Sequence, residues 1–483
     1  MSADAQRAAF QHALAETDRR LRACPDDLEL QFERARLLTS LGDDAGATSA
    51  YLAILHREPA HFGALTNIGA LALAAGHRGA ALTAYRQAAA THPNFPAAHV
   101  NLANLLMASG NAGDARRHFE AALALDPACV EAHRALVGLL LASGDEAGSD
   151  EHLCAAMQGP AIVSLPCRGA ADPVRVLMLV SLRGGNIPTE QMLNERTHDI
   201  QALYLEAWDE RMTLPAHDLV FNAVGDADLC AAALAKAGRI AERTTAPVIN
   251  RPDAVRATTR ENNAARFASA PGIVAPLTRR LPRAALESLE ACDALARLGF
   301  SYPLLLRATG FHTGQHFVRV EGPGELRASV AQLPGRDVLA IQPLYARSQD
   351  GLWRKYRVMF IGGALYPLHM AASTDWKVHY FTSAMATRPD LRAREQQFLD
   401  AMTDVLGPRA TTALERLAAM LGLDYGGIDF ALSRDGDLLL FEANATMVMV
   451  PPGPDPIWDY RRAAIARAQD AARALFTRPA QRF

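Results

Sequence analysis

A β-hairpin is predicted by the stretch Tyr425-Gly-Gly-Ile-Asp-Phe-Ala-Leu-Ser-Arg-Asp-Gly-Asp-Leu-Leu-Leu-Phe-Glu-Ala-Asn-Ala-Thr446. Its centre, Asp435-Gly436, is a strong signal for a two-residue turn between two apolar runs. Such a turn pairs Arg434 with Asp437, Phe430 with Phe441, and Asp429 with Glu442. Because side chains alternate along a strand, the two phenylalanines then share one side of the sheet and the two carboxylates share the other.

Two carboxylates that face each other repel, unless a cation lies between them. Asn444 follows Glu442 by two residues, so it lies on the same face of the hairpin and adds a neutral oxygen. Carboxylate and amide oxygens are the ligands that Mg²⁺ prefers, and Mg²⁺ is often shared with substrate phosphates. We therefore expect Asp429, Glu442 and Asn444 to bind Mg²⁺. The alternative is a solvent-facing hairpin with ordinary polar surface groups.

Composition places the chain among globular proteins and excludes several classes. With 483 residues, of which 50% are hydrophobic, it is long enough for two to four domains. A net charge of −3 does not favour binding to nucleic acid or to an anionic membrane. The six cysteines form no CxxC pair, and no run of 18 apolar residues or signal-like start is present. We expect a soluble cytoplasmic protein with reduced thiols.

The first third of the sequence repeats with a period of 34 residues. The recurring positions are Pro25, Pro59, Pro93 and Pro127; Gly42, Gly76, Gly110 and Gly144; Ala47, Ala81 and Ala115; and Tyr51, Tyr85 and Phe119. This period is typical of tetratricopeptide repeats, in which each unit is a pair of helices with a turn at the glycine. We expect an α-solenoid of helical hairpins over residues 1–157, including an N-terminal cap. Its surface would contact a peptide or protein partner.

The rest of the chain alternates strand and helix patterns after a proline- and glycine-rich linker at 158–173. Strands are predicted at Val174–Val180, Asp218–Val224 and Ala246–Arg251, with helical stretches between them. This alternation indicates a small parallel sheet covered by helices over 174–255. Residues 256–483 then hold the remaining strands and a final helix.

A strand, a loop and a strand are predicted over Ser301–Val320. Arg307 ends the first strand, and the loop contains Gly310, His312 and Gly314. Such a loop can place backbone N–H groups over phosphates with Arg307 as the charge partner, although two glycines in a hairpin loop are also ordinary turn residues.

Basic residues recur in the strands that follow. Lys355 and Arg357 are predicted on one side of a strand that begins at Trp353, and Tyr356 and Val358 on the other. Lys377 and His379 lie further on, two residues apart. A charged edge strand is one explanation. Cations facing the acidic hairpin also suit a nucleotide-phosphate site.

In this order of parts, the sequence resembles the ATP-grasp superfamily, closest to its glutathione-synthase-like carboxylate–amine ligases, over about residues 174–475. The most specific motif is Gly427-Ile-Asp-Phe followed by Phe441-Glu-Ala-Asn444. The resemblance implies an ATP-grasp α+β body after the solenoid, with ATP and Mg²⁺ as cofactors. It makes Asp429, Glu442 and Asn444 the metal ligands.

The remaining site residues follow partly from the resemblance and partly from the loop and charge patterns described above. Catalytic roles fall to Arg357, Lys377 and His379. The nucleotide-binding positions are Arg307, Gly310, His312, Gly314, Gln342, Leu344, Tyr345 and Lys355. Two departures are present, because the family usually has lysines at Arg307 and near Arg260.

The implied reaction is ATP-dependent activation of a carboxylate as an acyl phosphate, which an amine or another nucleophile then attacks. The repeats suggest that a peptide or protein supplies one of the substrates. A second hypothesis is a nucleotide-binding adaptor that turns over weakly, which the arginines in place of lysines favour. A third is an ATP-grasp kinase that transfers phosphate to a small molecule.

Overall fold

The computed structural model describes residues 3–168, 172–189, 191–288, 290–311, 314–348, 350–378 and 383–477. The chain forms two compact units. The first comprises Met1–Leu177 and Asn194–His217, and the second comprises Met178–Leu193 and Asp218–Phe483.

Helical hairpins make up most of the first unit. The helices are α1 (Ala3–Ala23), α2 (Leu28–Leu41), α3 (Asp44–Arg57), α4 (Phe62–Ala74), α5 (Arg78–Thr91), α6 (Pro96–Ala108), α7 (Ala112–Leu125), α8 (Val130–Ala142) and α9 (Glu146–Ala156). Gly42 and its counterparts in later repeats have φ of about +80°, the left-handed conformation that ends a helix. Asp43, Asn111 and Asp145 then cap the next helix with their side chains. The predicted array of helical hairpins is confirmed.

The repeated small and aromatic residues form the core of this array. Ala47, Ala81 and Ala115 are fully buried, and so are the rings of Tyr51 and Phe119. A Cβ added at Gly69 would lie 2.6 Å from the ring of Tyr85, so helices α4 and α5 approach closely at this glycine. The period in the sequence therefore corresponds to repeated helix–helix packing.

Two antiparallel strands, β1 (Ile162–Ser164) and β3 (His198–Tyr204), also belong to the first unit. Strand β1 lies inside the predicted linker. The Arg134 guanidinium of α8 stacks 4.1 Å from the centre of the Tyr204 ring and donates to the Pro160 carbonyl at 2.8 Å. The helices expected after Val180 are absent from described residues 181–189 and 191–218, where β3 and the short 3₁₀ helix Leu205–Ala207 are found instead.

The second unit begins with the end of β2 (Val174–Val180), followed by β4 (Leu219–Asn222), α10 (Ala231–Ala241) and β5 (Val248–Ile249). Strands β4 and β5 are parallel, as the α/β alternation predicts. Just after β5, the buried Asn250 side chain accepts from Tyr425 N at 2.8 Å and donates to Tyr425 O at 3.0 Å. This pair of hydrogen bonds anchors the loop after β5 to the start of the predicted hairpin.

An antiparallel sheet of order β7-β10-β8-β9 follows. Its strands are β7 (Thr278–Pro282), β8 (Leu304–Ala308), β9 (Phe317–Val320) and β10 (Asp337–Ile341), preceded by β6 (Ile273–Val274). Helices α11 (Pro252–Arg256) and α12 (Arg260–Phe267) precede these strands. Helices α13 (Arg283–Glu287), α14 (Ala291–Arg297) and α15 (Leu326–Ala331) lie between them in the sequence. Strands β8 and β9 confirm the predicted strand–loop–strand segment.

The last sheet has the order β12-β11-β13-β14-β6. Its strands are β11 (Trp353–Ile361), β12 (Ala364–Ser373), β13 (Tyr425–Leu432) and β14 (Leu438–Asn444), with helices α16 (Pro389–Asp400), α17 (Met402–Leu421) and α18 (Arg462–Ala474). The β6–β14 pair is parallel, and the other neighbours are antiparallel.

The turn of the β13–β14 hairpin differs from its prediction. Ser433 N donates to Asp437 O at 2.8 Å, so three residues, Arg434 to Gly436, form the turn. The predicted Arg434–Asp437 pair is therefore wrong. A β-bulge with Phe441 as the extra residue corrects the register, and Asp429 faces Glu442 as predicted.

The bulge also overturns the predicted phenylalanine pair. Phe430 faces Leu440 instead of Phe441. Phe430 is fully buried, whereas Phe441 is 36% exposed. The extra residue thus turns one aromatic ring out of the core.

Candidate functional site

Four neighbouring strands of the last sheet place a row of polar side chains side by side. His369 of β12 faces Arg357 of β11, Arg357 faces Asp429 of β13, and Asp429 faces Glu442 of β14. All four side chains line one cavity of the second unit, which has a volume of about 800 Å³. This volume is within the usual range for small-molecule sites.

Asp429 is the most strongly held member of this row. Arg357 donates from Nε at 2.7 Å and from Nη2 at 2.8 Å to its two oxygens, and Lys355 Nζ donates at 3.0 Å. Burial favours the neutral acid, but Arg357 and Lys355 outweigh it and hold the pKa of Asp429 well below its usual range. As predicted, Lys355 and Arg357 share one side of β11. Tyr356 lies on the other side and stacks on Phe430.

Glu442 is held by a different set of side chains. Arg260 forms an ion pair with Glu442 Oε1, and Asn444 Nδ2 donates to the same oxygen at 2.7 Å. Arg260 also binds the buried Asp228 at 3.2 Å. The Asn444 Oδ1 accepts from Thr446 N and Thr446 Oγ1, both at 3.0 Å. The predicted metal ligands thus lie on one face of the sheet, with both carboxylates neutralised by basic side chains.

Asp429, Glu442 and Asn444 can bind one Mg²⁺ only when a ligand is bound as well. Among the described residues, no group of three or more His, Cys, Asp and Glu side chains is placed to hold a metal ion. Asp429, Glu442 and Asn444 supply hard oxygens, and Mg²⁺ commonly completes its coordination with water and phosphate oxygens. The three residues fit the ion if Arg260 or Lys355 exchanges its carboxylate for a phosphate and Asn444 Oδ1 gives up a hydrogen bond from Thr446.

Arg307 lies in β8 with no carboxylate partner among the described residues. Its Nη2 donates to Phe311 O at 2.6 Å, while its buried Nε has no hydrogen-bond partner in the described part of the chain. Burial, assisted by the nearby Arg260, lowers the pKa of Arg307 to about 10. A buried guanidinium with an unused donor is suited to binding an anionic ligand.

The two predicted loop glycines after β8 differ in their position relative to the cavity. Gly314 lines it with φ of +75°, and a Cβ there would lie 3.0 Å from Lys377 Cε. Gly310, with φ of +79°, is not among the described lining residues. His312 and His379 lie outside the described residues. Lys377 lines the cavity, and its Nζ donates to Phe317 O at 3.4 Å.

The segment after β10 borders one end of the cavity. Gln342 and Leu344 line it, whereas Tyr345 is 68% exposed, packs edge-on against Trp353 and is not among the described lining residues. The Gln342 side chain is already engaged, since its Oε1 accepts from Ser301 N at 3.0 Å. Its Nε2 donates to Pro303 O at 3.3 Å, so the backbone carbonyl of Gln342 and its aliphatic carbons are more available to a ligand than its side-chain amide.

Several residues that line the cavity are not predicted from the sequence. His369 is buried, and burial lowers its pKa well below the ordinary value, with Arg357 adding to the effect. The imidazole is therefore neutral at pH 7. Counting back from the Gly362-Gly363 turn places Leu368 opposite Arg357, but a bulge in the β11–β12 pair brings His369 there instead. Trp458 and Arg461 come from a distant 3₁₀ helix, Pro456–Arg461, that no local pattern connects to the cavity.

Basic residues outnumber acidic ones in the lining of the cavity, although Arg319, Arg354 and Arg461 pair with Glu321, Asp350 and Glu395 outside the lining. Among the described lining residues, eight are basic: Arg260, Arg307, Arg319, Arg354, Lys355, Arg357, Lys377 and Arg461. Asp429 and Glu442 are the acidic ones. Such a lining attracts an anion with several charges. None of the described helices is long and apolar enough to cross a membrane.

Comparison with known proteins supports the repeats. The tetratricopeptide repeat family model matches residues 72–117 and 106–151. No curated protein matches the chain. Among solved structures, MamA from Desulfovibrio magneticus RS-1 is 23% identical, with 32% of this chain and 86% of that chain covered and a TM-score of 0.28. A thermophilic TPR protein of Thermus thermophilus is 22% identical, with coverages of 31% and 82% and a TM-score of 0.27. The N-terminal part of this chain is an array of tetratricopeptide repeats, followed by a mixed α/β region.

Proposed function

We propose that the second unit is an ATP-grasp carboxylate–amine ligase that forms ADP. The observation that carries this proposal is the row Arg357–Asp429–Glu442, in which two facing carboxylates lie among basic side chains in a cavity of about 800 Å³. A nucleoside triphosphate brings several negative charges and a bound divalent cation. The negative charges suit the basic lining, and the divalent cation suits the paired carboxylates.

The nucleotide base would lie at the end of the cavity beside β8 and β10. Leu305, Ile341 and Leu344 offer an apolar surface there, and Phe441 presents a partly exposed ring. Backbone groups after Ile341 would recognise the base. Arg307, with its unused Nε, and Lys355 would bind the phosphates.

The reaction would proceed in two steps. One oxygen of the substrate carboxylate attacks the γ-phosphorus of ATP, the bond from that phosphorus to the β,γ-bridging oxygen breaks, and ADP leaves. An amine then attacks the acyl carbon, the carbon–oxygen bond to phosphate breaks, inorganic phosphate leaves, and a proton passes from the amine to solvent. Such phosphoryl transfer depends mostly on positioning and charge neutralisation.

Particular side chains would serve these steps. Arg357 would stabilise the negative oxygens of the transferred phosphoryl group, with Lys377 beside it. Asp429, Glu442 and Asn444 would hold Mg²⁺, which supplies neutralisation of phosphate charge when bound. Asp429 keeps Arg357 in place through its two oxygens. His379 would contribute to the same step.

The repeats would recruit the peptide or protein that carries one substrate, since stacked repeats usually act as protein-contact surfaces. All six cysteines, each in the described part of the chain, are free thiols, and this suits a reducing compartment such as the cytoplasm.

The test is trapping of the acyl phosphate. The full chain is incubated with ATP, Mg²⁺, pooled N-acetyl amino acids and hydroxylamine, and hydroxamates and ADP are quantified. The wild type is expected to form hydroxamate. Glu442→Gln is expected to lower the hydroxamate yield at least a hundredfold. Asp437→Asn, directly after the turn of the same hairpin, should retain hydroxamate formation. Equal yields from wild type and Glu442→Gln would defeat the proposal.

An adaptor that binds nucleotide without turnover is the second candidate. The observation in its favour is that Arg260 and Arg357 already neutralise Glu442 and Asp429. Calorimetry with ATP and Mg²⁺, combined with the trapping assay, separates the two functions. Tight binding without hydroxamate or ADP would favour the adaptor.

A further inference from the structure

The cavity has two apolar ends, and the charged row lies between them. Ala431, Asp429 and Gly427 share one face of β13, because alternate residues of a strand point the same way. Ala431 packs with Ala346 at the end where Leu344 lies. Gly427 lies under Met447, since a Cβ there would be 2.7 Å from its sulfur. The two ends are therefore separated by four residues of strand, about 13 Å.

The end beside Gly427, the distal apolar end, is lined by Leu368, Met385, Met447, Val448, Trp458 and Ile465. These side chains come from β12, from the 3₁₀ helix Ala384–Ala386, from the segment after β14, from the 3₁₀ helix Pro456–Arg461 and from α18. Arg357 of the charged row lies at its boundary, and the neutral His369 lies next to Leu368. Two cations, Arg357 and Arg461, therefore border this end, whose other named lining residues are apolar.

This end is held in shape by buried polar contacts. Arg461 stacks 4.3 Å from the centre of the Trp458 ring and forms a 2.5 Å ion pair with Glu395, which is fully buried. Tyr460 Oη donates to the same carboxylate at 2.5 Å. Gln469 Nε2 donates to Met449 O at 3.1 Å, which fixes the segment after β14. The compartment is thus preformed, as expected of a specificity pocket.

We propose that the distal apolar end receives a bulky apolar group of the carboxylate substrate, so that this substrate is an acid with an aromatic or branched aliphatic side chain. The inference rests on the function proposed above, which assigns the other apolar end to the nucleotide base. Arg357 then meets the substrate carboxylate at the charged row while the apolar group extends past it. Because Arg461 is already paired with Glu395 and Arg357 with Asp429, a neutral polar group at this end would lose hydrogen bonds to water that the apolar lining does not replace.

Equilibrium binding of two acids of the same shape tests this inference without turnover. The full chain, saturated with Mg²⁺ and a non-hydrolysable ATP analogue, is titrated calorimetrically with N-acetyl-leucine and with N-acetyl-asparagine. N-acetyl-leucine is expected to bind at least tenfold more tightly, because its isobutyl group leaves water for an apolar pocket. Equal affinities, tighter binding of the asparagine derivative, or binding of neither acid would overturn the inference.

A pair of variants locates the pocket. Trp458→Ala should weaken binding of N-acetyl-leucine at least tenfold, whereas Ile457→Ala should bind it as the wild type does. Ile457 is adjacent and 37% exposed, and it is not among the described lining residues. If Trp458→Ala fails to fold, Val450→Ser takes its place, since Val450 also lines the cavity and is 57% exposed, and a loss of about threefold is expected. Unchanged affinity in the folded variant would contradict the location.

The trapping assay keeps this inference separate from the proposed function. If N-acetyl-leucine binds preferentially but no hydroxamate forms, the inference about the pocket is supported and the proposed ligase activity is contradicted. Hydroxamate from polar acids alone would leave the ligase standing and overturn the pocket.

Discussion

Arg357 grips both oxygens of Asp429, its neighbour on the adjacent strand, with Nε at 2.7 Å and Nη2 at 2.8 Å. Lys355 adds a third contact to the same carboxylate. Because one buried anion holds two cations at a fixed place in the cavity, Asp429 organises the candidate site before any ligand enters.

Asp429→Asn is expected to destabilise the second unit by about 3 kcal/mol at pH 7, because it leaves buried cations unpaired. The pKa of Asp429 is lowered in the folded state, so its contribution is complete above the unfolded pKa of about 3.9 and declines as the pH falls towards the folded value. The difference from wild type should therefore be constant from pH 5 to 8 and shrink below pH 4.

Urea unfolding followed by tryptophan fluorescence measures this difference, since Trp353, Trp376 and Trp458 all lie in the second unit. The matched control is Asp390→Asn, which alters an exposed ion pair with Arg388 and should leave stability nearly unchanged. A pH-independent difference that persists at pH 3 would contradict the role of Asp429.

Arg307→Ala is expected to raise the dissociation constant for ATP by about tenfold to a hundredfold, because Arg307 lines the cavity and its buried Nε has no partner in the described part of the chain. Calorimetry with ATP and Mg²⁺ measures the effect. Arg327→Ala, an exposed arginine elsewhere in the same unit, serves as the control and should leave the constant unchanged. Equal affinities in both variants would remove Arg307 from the nucleotide site.

Gly69→Ala is expected to destabilise the repeat array by about 1–3 kcal/mol, although alanine favours helix, because the new methyl group meets the ring of Tyr85. Gly79→Ala is the matched control. That glycine also lies in a helix, but a Cβ there meets nothing within 4 Å, so the change should be neutral or stabilise by up to about 1 kcal/mol. Thermal unfolding followed by circular dichroism compares the two. A stabilised Gly69→Ala variant would contradict the close approach of α4 and α5.

Glu395→Ala is expected to cost about 3–5 kcal/mol of stability, because it leaves Arg461 buried without its carboxylate. Asp459→Ala removes an exposed partner of Arg462 in the same region and should cost less than about 1 kcal/mol. Urea unfolding distinguishes them. Similar losses in both variants would show that the buried pair does not support the distal apolar end.

The repeat array was predictable because its signals are local. A glycine in the left-handed conformation, a capping side chain and a proline recur at fixed spacing. The sequence also predicts that Asp429 faces Glu442. The prediction holds because two one-residue shifts in the strand register cancel each other. A three-residue turn shifted the register, and the bulge at Phe441 shifted it back. Neither has a distinctive sequence signal, so the position of Phe441 was not predictable.

Other parts of the site depend on contacts that are distant in sequence. Arg260 meets Glu442 across 182 residues, and Arg461 meets Glu395 across 66. His369 reaches the row only through a bulge. Strand β3 was missed because its mixture of polar and apolar residues, His198–Tyr204, shows no strict alternation. Packing between separate elements decides such features, and one sequence does not show it.

The fate of a carboxylate oxygen tests the proposed ligase most directly. The full chain is supplied with ATP, Mg²⁺, hydroxylamine and pooled N-acetyl amino acids, polar and apolar, whose carboxylates carry ¹⁸O, and the released inorganic phosphate is analysed by mass spectrometry. An acyl phosphate that breaks at its acyl carbon leaves one ¹⁸O in each phosphate. ADP release with unlabelled phosphate, or no ADP above the level of Glu442→Ala, would contradict the account.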